Sequence, residues 1–334
     1  MTDSGGVAIV GCGWAGHKHA DAFIAEGARL RWAVDVDPLR AAGVAALQPG
    51  ARQATSLEEP LSDPAVNMFD VCVPHYLHAE TCLAAIAEGK DVLCEKPLAP
   101  SLADADRMAE AAEEAGTLLM VAENECFNPM YREIASLLAA GVIGEPALVQ
   151  ATRECYLRES FVHDRRWFLS RDAAGGGILL AGAVHDFAKL RMMLGEVVVL
   201  HSLRARQRFA EMEAEDTVVT VLGFEGGAVG TLVESFFMID PTTTTGAEVH
   251  RLRIDGDKGS IEVTAPERLR VTTLEAEKEV TVTLEDTFRA EIREFLTCVA
   301  SRREPATSAR AQRRNLELVE AAYASIASGQ PVRL

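Results

Sequence analysis

Val7-Ala8-Ile9-Val10-Gly11-Cys12-Gly13-Trp14-Ala15-Gly16 runs an unbroken apolar stretch into a GxGxxG turn, and His17 to Glu26 beyond it has helical spacing. Strand, glycine turn and helix in that order form a dinucleotide-binding fingerprint, in which the strand is buried on both faces of a parallel sheet. Each glycine has a task. Gly11 permits the tight turn, Gly13 lets the backbone approach a pyrophosphate, and Gly16 lets the helix pack on the strand with its first N–H groups toward the anion.

Working outward, a second strand, Leu30 to Val34, ends at Asp35, about two dozen residues past Gly11, where a carboxylate can accept from both ribose hydroxyls. This predicts NAD. A 2'-phosphate would be repelled by Asp35, and Val36 stands where a phosphate-reading arginine is expected, although Arg40 lies one helical turn on. The competing role for Asp35 is to cap the helix that starts near Pro38. Further strands are expected at Phe69–Val73, Asp91–Cys94 and Leu118–Val121, with helices at His78–Glu88 and Leu102–Ala115. Such alternation means an α/β fold with a doubly wound parallel sheet, and Gly11, Asp35, Pro74 and Glu95 fall at its carboxyl strand ends, where ligands bind.

Past Asn124 the pattern changes. A helix at Pro129–Ala140 and a long strand at Ala147–Leu157 precede a glycine-rich helix. Alternating strands follow at 197–209, 217–224, 228–238, 249–255 and 260–264, before a final amphipathic helix at about Ser308–Ser328. Two domains are therefore expected: a Rossmann domain over residues 1–123, and an α+β domain over 124–334 with a large, mostly antiparallel open sheet and a final helix able to pack back on the first domain. The open face predicts a homodimer or homotetramer assembled through that sheet.

With 334 residues and 48% hydrophobic content the chain can bury two cores, and its net charge of −17 argues against nucleic acid or anionic membrane as partner. No stretch approaches about 20 apolar residues, and Met1-Thr2-Asp3-Ser4 lacks the basic start of a signal peptide, so a cytoplasmic location is expected. Seven cysteines without CxxC spacing read as reduced and structural, and no metal is expected.

Glu95-Lys96-Pro97 puts a lysine beside the dinucleotide crevice. Together with the fingerprint, Val71-Cys72-Val73-Pro74-His75-Tyr76-Leu77-His78, Phe127-Asn128-Pro129, Gly175-Gly176-Gly177-Ile178-Leu179 and Gly256-Asp257-Lys258-Gly259-Ser260, it makes the chain resemble the Gfo/Idh/MocA oxidoreductases. That family includes glucose-fructose oxidoreductase and inositol dehydrogenase. The resemblance implies hydride transfer between NAD and a secondary alcohol or ketone of a sugar, amino sugar or cyclitol. It also implies Lys96 as the group that polarises the oxygen and His185 as general acid/base. Apart from the resemblance, Lys96 would read as a surface lysine and His185 as a packed helical histidine. The crevice residues Gly11, Cys12, Gly13, Trp14, Ala15, Gly16, Asp35, Val73, Pro74, His75, His78, Glu95, Lys96 and Asn124 are expected at the cofactor.

The chain departs from the family pattern GGGxLxDxGxHxxD at two places. Ala181 replaces the aspartate four residues before His185, and Ala188 replaces the later carboxylate. Asp186 cannot stand in, because neighbouring helical residues point about 100° apart. A Lys96 and His185 dyad suffices, or Glu123 or Glu125 enters the site, or turnover has been lost. Glu125-Cys126 also stands where relatives carry arginine before the aromatic, which suggests a substrate ammonium; otherwise Glu123 and Glu125 cap a helix or face solvent. Tyr156, His163, Arg165 and Trp167, with Arg153, are the remaining substrate candidates. The rival readings are an NAD-binding regulatory or scaffold protein, and an enzyme that recycles tightly bound NAD during elimination or hydrolysis.

Overall fold

The computed structural model describes residues 5–238 and 248–334, and the Met1–Ser4 terminus lies outside them. The chain forms two compact units, Met1–Asn124 with Asp286–Arg314, and Glu125–Glu285 with Asn315–Leu334.

The first unit opens with β1 (Gly6–Val10), α1 (Trp14–Ala25), β2 (Arg29–Val34), α2 (Pro38–Ala45), β3 (Arg52–Ala54) and α3 (Glu58–Ser62). It continues with β4 (Val66–Val71), α4 (His78–Ala87), β5 (Asp91–Glu95), α5 (Leu102–Ala115) and β6 (Leu119–Ala122). The six strands lie in the order β3-β2-β1-β4-β5-β6, all parallel, with β1 buried throughout at the centre. The order reverses at β1, which makes the carboxyl end of that strand the ligand crevice. Helix boundaries follow local chemistry. Asp37 caps α2 by accepting Leu39 N and is followed by Pro38, while α5 runs from the Ser101 cap to Gly116 in the left-handed region.

The second unit begins with α6 (Pro129–Ala139), capped by Asn128, then β7 (Pro146–Cys155), α7 (Arg158–His163) and α8 (Arg171–Ala174). The glycine-rich segment contains a π-helical turn at Leu179–Ala183 that leads into α9 (Val184–Leu194). Strands β8 (Val197–Arg204), β9 (Thr217–Phe224), β10 (Val229–Ser235), β11 (Glu248–Gly256), β12 (Gly259–Ala265), β13 (Arg268–Thr273) and β14 (Glu277–Thr281) follow. After α10 (Thr287–Ser301) and α11 (Ala309–Ser328), the short β15 (Val332–Arg333) joins the same sheet. The nine strands lie in the order β14-β13-β12-β11-β7-β10-β9-β8-β15, antiparallel except for β7 with β10.

Register decides which side chains meet on this sheet. One cross-strand row on the inner face is Val218, Glu234, Arg153 and His250, on β9, β10, β7 and β11. An outward row three residues along is Val221, Thr231, Gln150, Arg253, Glu262 and Arg270. The outer face is thus apolar toward β9 and charged toward β13.

One expected boundary is corrected and one helix is added. β8 stops at Arg204 rather than Phe209, because Gln207 bonds to Phe209 O, Met212 O and Ala214 O while Asp216 accepts Arg208 N and Phe209 N. Those bonds fold the segment into a closed loop. The long helix α10, capped by Asp286, was not anticipated ahead of the last helix.

Candidate active site

The glycine turn has the geometry its spacing requires. Gly11 has φ +93° and a Cβ there would lie 2.4 Å from Cys72 O, while a Cβ on Gly16 would lie 1.9 Å from Gly11 O. Side chains are excluded at both places. A Cβ on Gly13, by contrast, would meet nothing within 4 Å. Space therefore remains at the amino end of α1, where N–H groups and the helix dipole favour an anion, and this fits a dinucleotide pyrophosphate. Beside it Trp14 is 66% exposed and meets Phe288 edge-on, while the Cys12 thiol is pushed up to about 12 by burial and by Asp35.

Asp35 Oδ2 accepts the Cys12 amide at 2.8 Å and Oδ1 accepts the Asp37 amide at 2.9 Å. The carboxylate is thereby oriented at the strand end with further lone pairs for ribose hydroxyls. The helix cap is Asp37. Arg40 is exposed and 3.7 Å from Asp37.

At the next strand ends, Val73, Pro74, Glu95 and Lys96 are half-buried, and His75 and His78 are buried. The His78 ring places Nδ1 2.9 Å from Pro97 O and Nε2 3.0 Å from Val73 O, tying the two loops together. Burial holds its pKa below the usual value, so the neutral ring donates to one carbonyl at a time. Glu95 Oε2 accepts the Lys96 amide at 2.9 Å. Asn124 donates to Thr287 Oγ1 at 2.8 Å, and Glu123 is fully buried in this unit. His19, Asp70 and Cys72, which no sequence spacing singles out, place ligand-type atoms within 4.8 Å of one another. Their mutual hydrogen bonding accounts for this arrangement without a cation.

In the second unit the inner-face row meets α9 in a buried charge cluster. Arg153 donates to Asp186 Oδ2 at 2.6 Å and to Glu248 Oε2 at 2.7 Å, and Lys189 lies 2.7 Å from Asp186 Oδ1. Asp186, drawn down by Arg153 and Lys189 against the cost of burial, stays ionised and is committed to those cations. Glu234 goes the other way. Burial and the neighbouring Asp186 raise its pKa well above the usual carboxyl value, which favours its protonated form.

His185 is half-buried at the start of α9. Glu125 lies 3.5 Å from Arg153, and despite burial its carboxyl is held below the usual range by Lys189, Arg153, His250 and His185. Of the two acids weighed against Ala181, Glu125 therefore shares the surroundings of His185, whereas Glu123 belongs to the first unit. Glu248 is likewise kept ionised by the His250 hydrogen bond and by Arg153 and His185, against burial.

Three of the other substrate candidates border one aromatic cluster, in which Phe161 stacks on Phe168 at 4.5 Å and both meet Phe236. Tyr156 packs edge-on against Phe237, Arg165 bonds to Ser160 Oγ over the Phe161 ring, and Trp167 leans on Phe168. His163 is 69% exposed and pairs with Glu159 one turn back. Sequence reasoning missed Asp186, Lys189, Glu234 and Glu248 as a group. The only signal for them was the presence of ionisable residues inside otherwise apolar strands and helices.

Fold and strand-end chemistry together define a dinucleotide-binding oxidoreductase with a second α/β unit. Residues 6–123 match the family model described as oxidoreductase family, NAD-binding Rossmann fold, and residues 135–334 match its C-terminal alpha/beta domain. The chain belongs to the Gfo/Idh/MocA oxidoreductase family. It is 35% identical to 1,5-anhydro-D-fructose reductase of Ensifer adhaerens over 63% of this chain and 60% of that relative. Myo-inositol 2-dehydrogenase of Thermotoga maritima is 28% identical over 83% of this chain and 82% of its own length. The crystal structure of GenD2 from gentamicin A biosynthesis in complex with NAD is 27% identical, with TM-score 0.86, covering 100% of this chain and 97% of that one.

Proposed function

We propose that this protein is an NAD-dependent oxidoreductase that interconverts a secondary alcohol and a ketone on a sugar, amino sugar or cyclitol. The observation that carries this reading is the placement of Asp35 and Lys96 at carboxyl strand ends of the sheet whose glycine turn is open at Gly13. The names of the relatives, an anhydrofructose reductase and an inositol dehydrogenase, support the substrate class.

Bound NAD would supply the hydride acceptor for the carbinol carbon. The residues of this chain do the rest. Asp35 receives ribose hydroxyls and disfavours a 2'-phosphate, and the open amino end of α1 receives the pyrophosphate. The Lys96 ammonium stabilises negative charge developing on the substrate oxygen, and a ring nitrogen of His185 takes the hydroxyl proton. Glu125 supplies the negative charge near His185 that Ala181 does not, and Asp186 remains with Arg153 and Lys189.

The ionised Glu125 and the likeness to GenD2 favour an amino sugar, since a carboxylate pairs with a substrate ammonium. Exposed Leu203, Val219, Val221 and Val229 on the outer face of the sheet support a homodimer or homotetramer formed through it. None of the seven cysteines forms a disulfide, which suits the cytoplasm, and among the described residues no helix is long and apolar enough to cross a membrane.

Incubation with NAD and a panel of cyclitols, anhydrosugars, free sugars and aminoglycosides, with NADH recorded by absorbance, tests this reading. Turnover on one class supports it. Absence of turnover across the panel in a sample that binds NAD argues for a recycled cofactor or a regulatory role.

A further inference from the structure

We propose that His19 is a positioning residue for Lys96, acting through the carboxylate of Glu95. The inference rests on Lys96 handling the substrate oxygen, as proposed above. His19 lies on α1, fully buried, and ionisable and aromatic groups from three further elements face its ring. Nδ1 is 3.0 and 3.1 Å from the two oxygens of Asp70 and 3.6 Å from Cys72 Sγ, beside the end of β4. Nε2 is 3.4 Å from Glu95 Oε1 at the end of β5 and 3.6 Å from Glu291 Oε1 on α10, and Phe288 covers the ring at 5.6 Å.

Glu95 uses its other oxygen, Oε2, to accept the Lys96 amide. One carboxylate thus joins the histidine to the lysine backbone. On the other side of Lys96, His78 holds Pro97 O. The lysine peptide is fixed from both directions by buried rings, one through Glu95 and one through Pro97.

Burial alone would lower the His19 pKa, but the charge and hydrogen bond of Asp70 outweigh it and keep the ring protonated. The imidazolium bonds Asp70 through Nδ1, while Nε2 makes no hydrogen bond and faces the Glu95 carboxylate as a charge at 3.4 Å. A buried ion pair is poor value as a source of stability compared with a well-packed apolar side chain. Its use here is to hold the end of β5, where a small displacement of Lys96 would cost turnover far more than binding.

The test compares His19→Asn with His19→Gln in the intact NAD-loaded protein. Asparagine can replace the Nδ1 donor to Asp70 but places no group toward Glu95; the amide of glutamine reaches the position of Nε2 that faces Glu95. The expected result is a kcat lower by about tenfold to a hundredfold in His19→Asn with Kd for NAD changed less than about threefold, and substantial recovery of kcat in His19→Gln. Glu95→Gln keeps an acceptor for the Lys96 amide but loses the charge facing His19, so it should match His19→Asn, and the double variant should lose no more than either. It also supplies the reading if His19→Asn does not fold. Equal losses in Asn and Gln, additive losses in the double variant, or a defect confined to NAD affinity would overturn the proposal. Lys96→Ala separates the two claims: if it loses turnover while the His19 variants keep it, only the positioning role fails. If the wild type turns over no substrate, the Lys96 Nζ resonance still reports. A shift in His19→Asn that is restored in His19→Gln supports the positioning role, and an unmoved resonance contradicts it.

Discussion

Asp35 and Cys12 are tied by a 2.8 Å hydrogen bond from the Cys12 amide to Asp35 Oδ2, which fixes the carboxylate proposed to select the cofactor to the glycine turn. Replacing Asp35 by Ala should therefore do two things at once. It should weaken NAD by about tenfold or more through lost charge-assisted bonds, and narrow the preference for NAD over NADP by removing repulsion of the 2'-phosphate. Titrations with both cofactors check this, and an unchanged ratio would mean that Asp35 only braces the turn.

Glu291 gives a pH prediction. Burial, with Glu95, Glu123 and Asp70 near it, raises its pKa well above the usual value despite His19, whose own pKa is also raised. For both groups the folded value exceeds the unfolded one, so their stabilising contribution is complete below the unfolded values. It is lost as pH rises through the folded values. Glu291→Gln, which resembles the protonated acid, should leave Tm unchanged near pH 4 and raise it by about 2–4 °C at pH 8. Thermal unfolding across that range decides it; a lower Tm at pH 8 would show that the ionised form is needed.

Arg153 sits between Asp186 and Glu248 with its inner-row neighbours Glu234 and His250. Arg153→Met should cost about 3–5 kcal/mol, since it removes the guanidinium that bonds both Asp186 and Glu248 and leaves those carboxylates undercompensated. Paired with Asp186→Leu the loss should not be recovered, because the buried Lys189 is then left without its carboxylate. Denaturant unfolding of the single and double variants measures both.

Val221 is 49% exposed on the outer row between Thr231 and His201. Val221→Glu should reduce the assembled species in light scattering without lowering the monomer's Tm by more than about 2 °C. An assembly unaffected by the substitution would place the interface elsewhere.

Much of the first unit could be read in the sequence because its signals are local. The glycine turn and the apolar runs of β1, β4 and β5 each declare themselves within a few residues. Helix α10 also carried such a signal, with Asp286 as cap and Ile292, Phe295 and Cys298 along one face, but it followed a run of strands and was passed over. The clusters were beyond local reading. His19, Asp70, Glu95 and Glu291 come from four separate segments, and Glu234 meets Arg153 only because β10 pairs in parallel with β7, which hairpin logic does not foresee. Neither arrangement leaves a periodicity in the chain.

The most direct test of the central claim is the steady-state rate of NADH formation by Lys96→Ala and by wild type on the best substrate of the panel, with NAD affinity measured in the same samples. Hydride transfer supported by Lys96 predicts a kcat reduced by about a hundredfold or more in the variant at nearly unchanged Kd for NAD. Equal rates in the two proteins would contradict it.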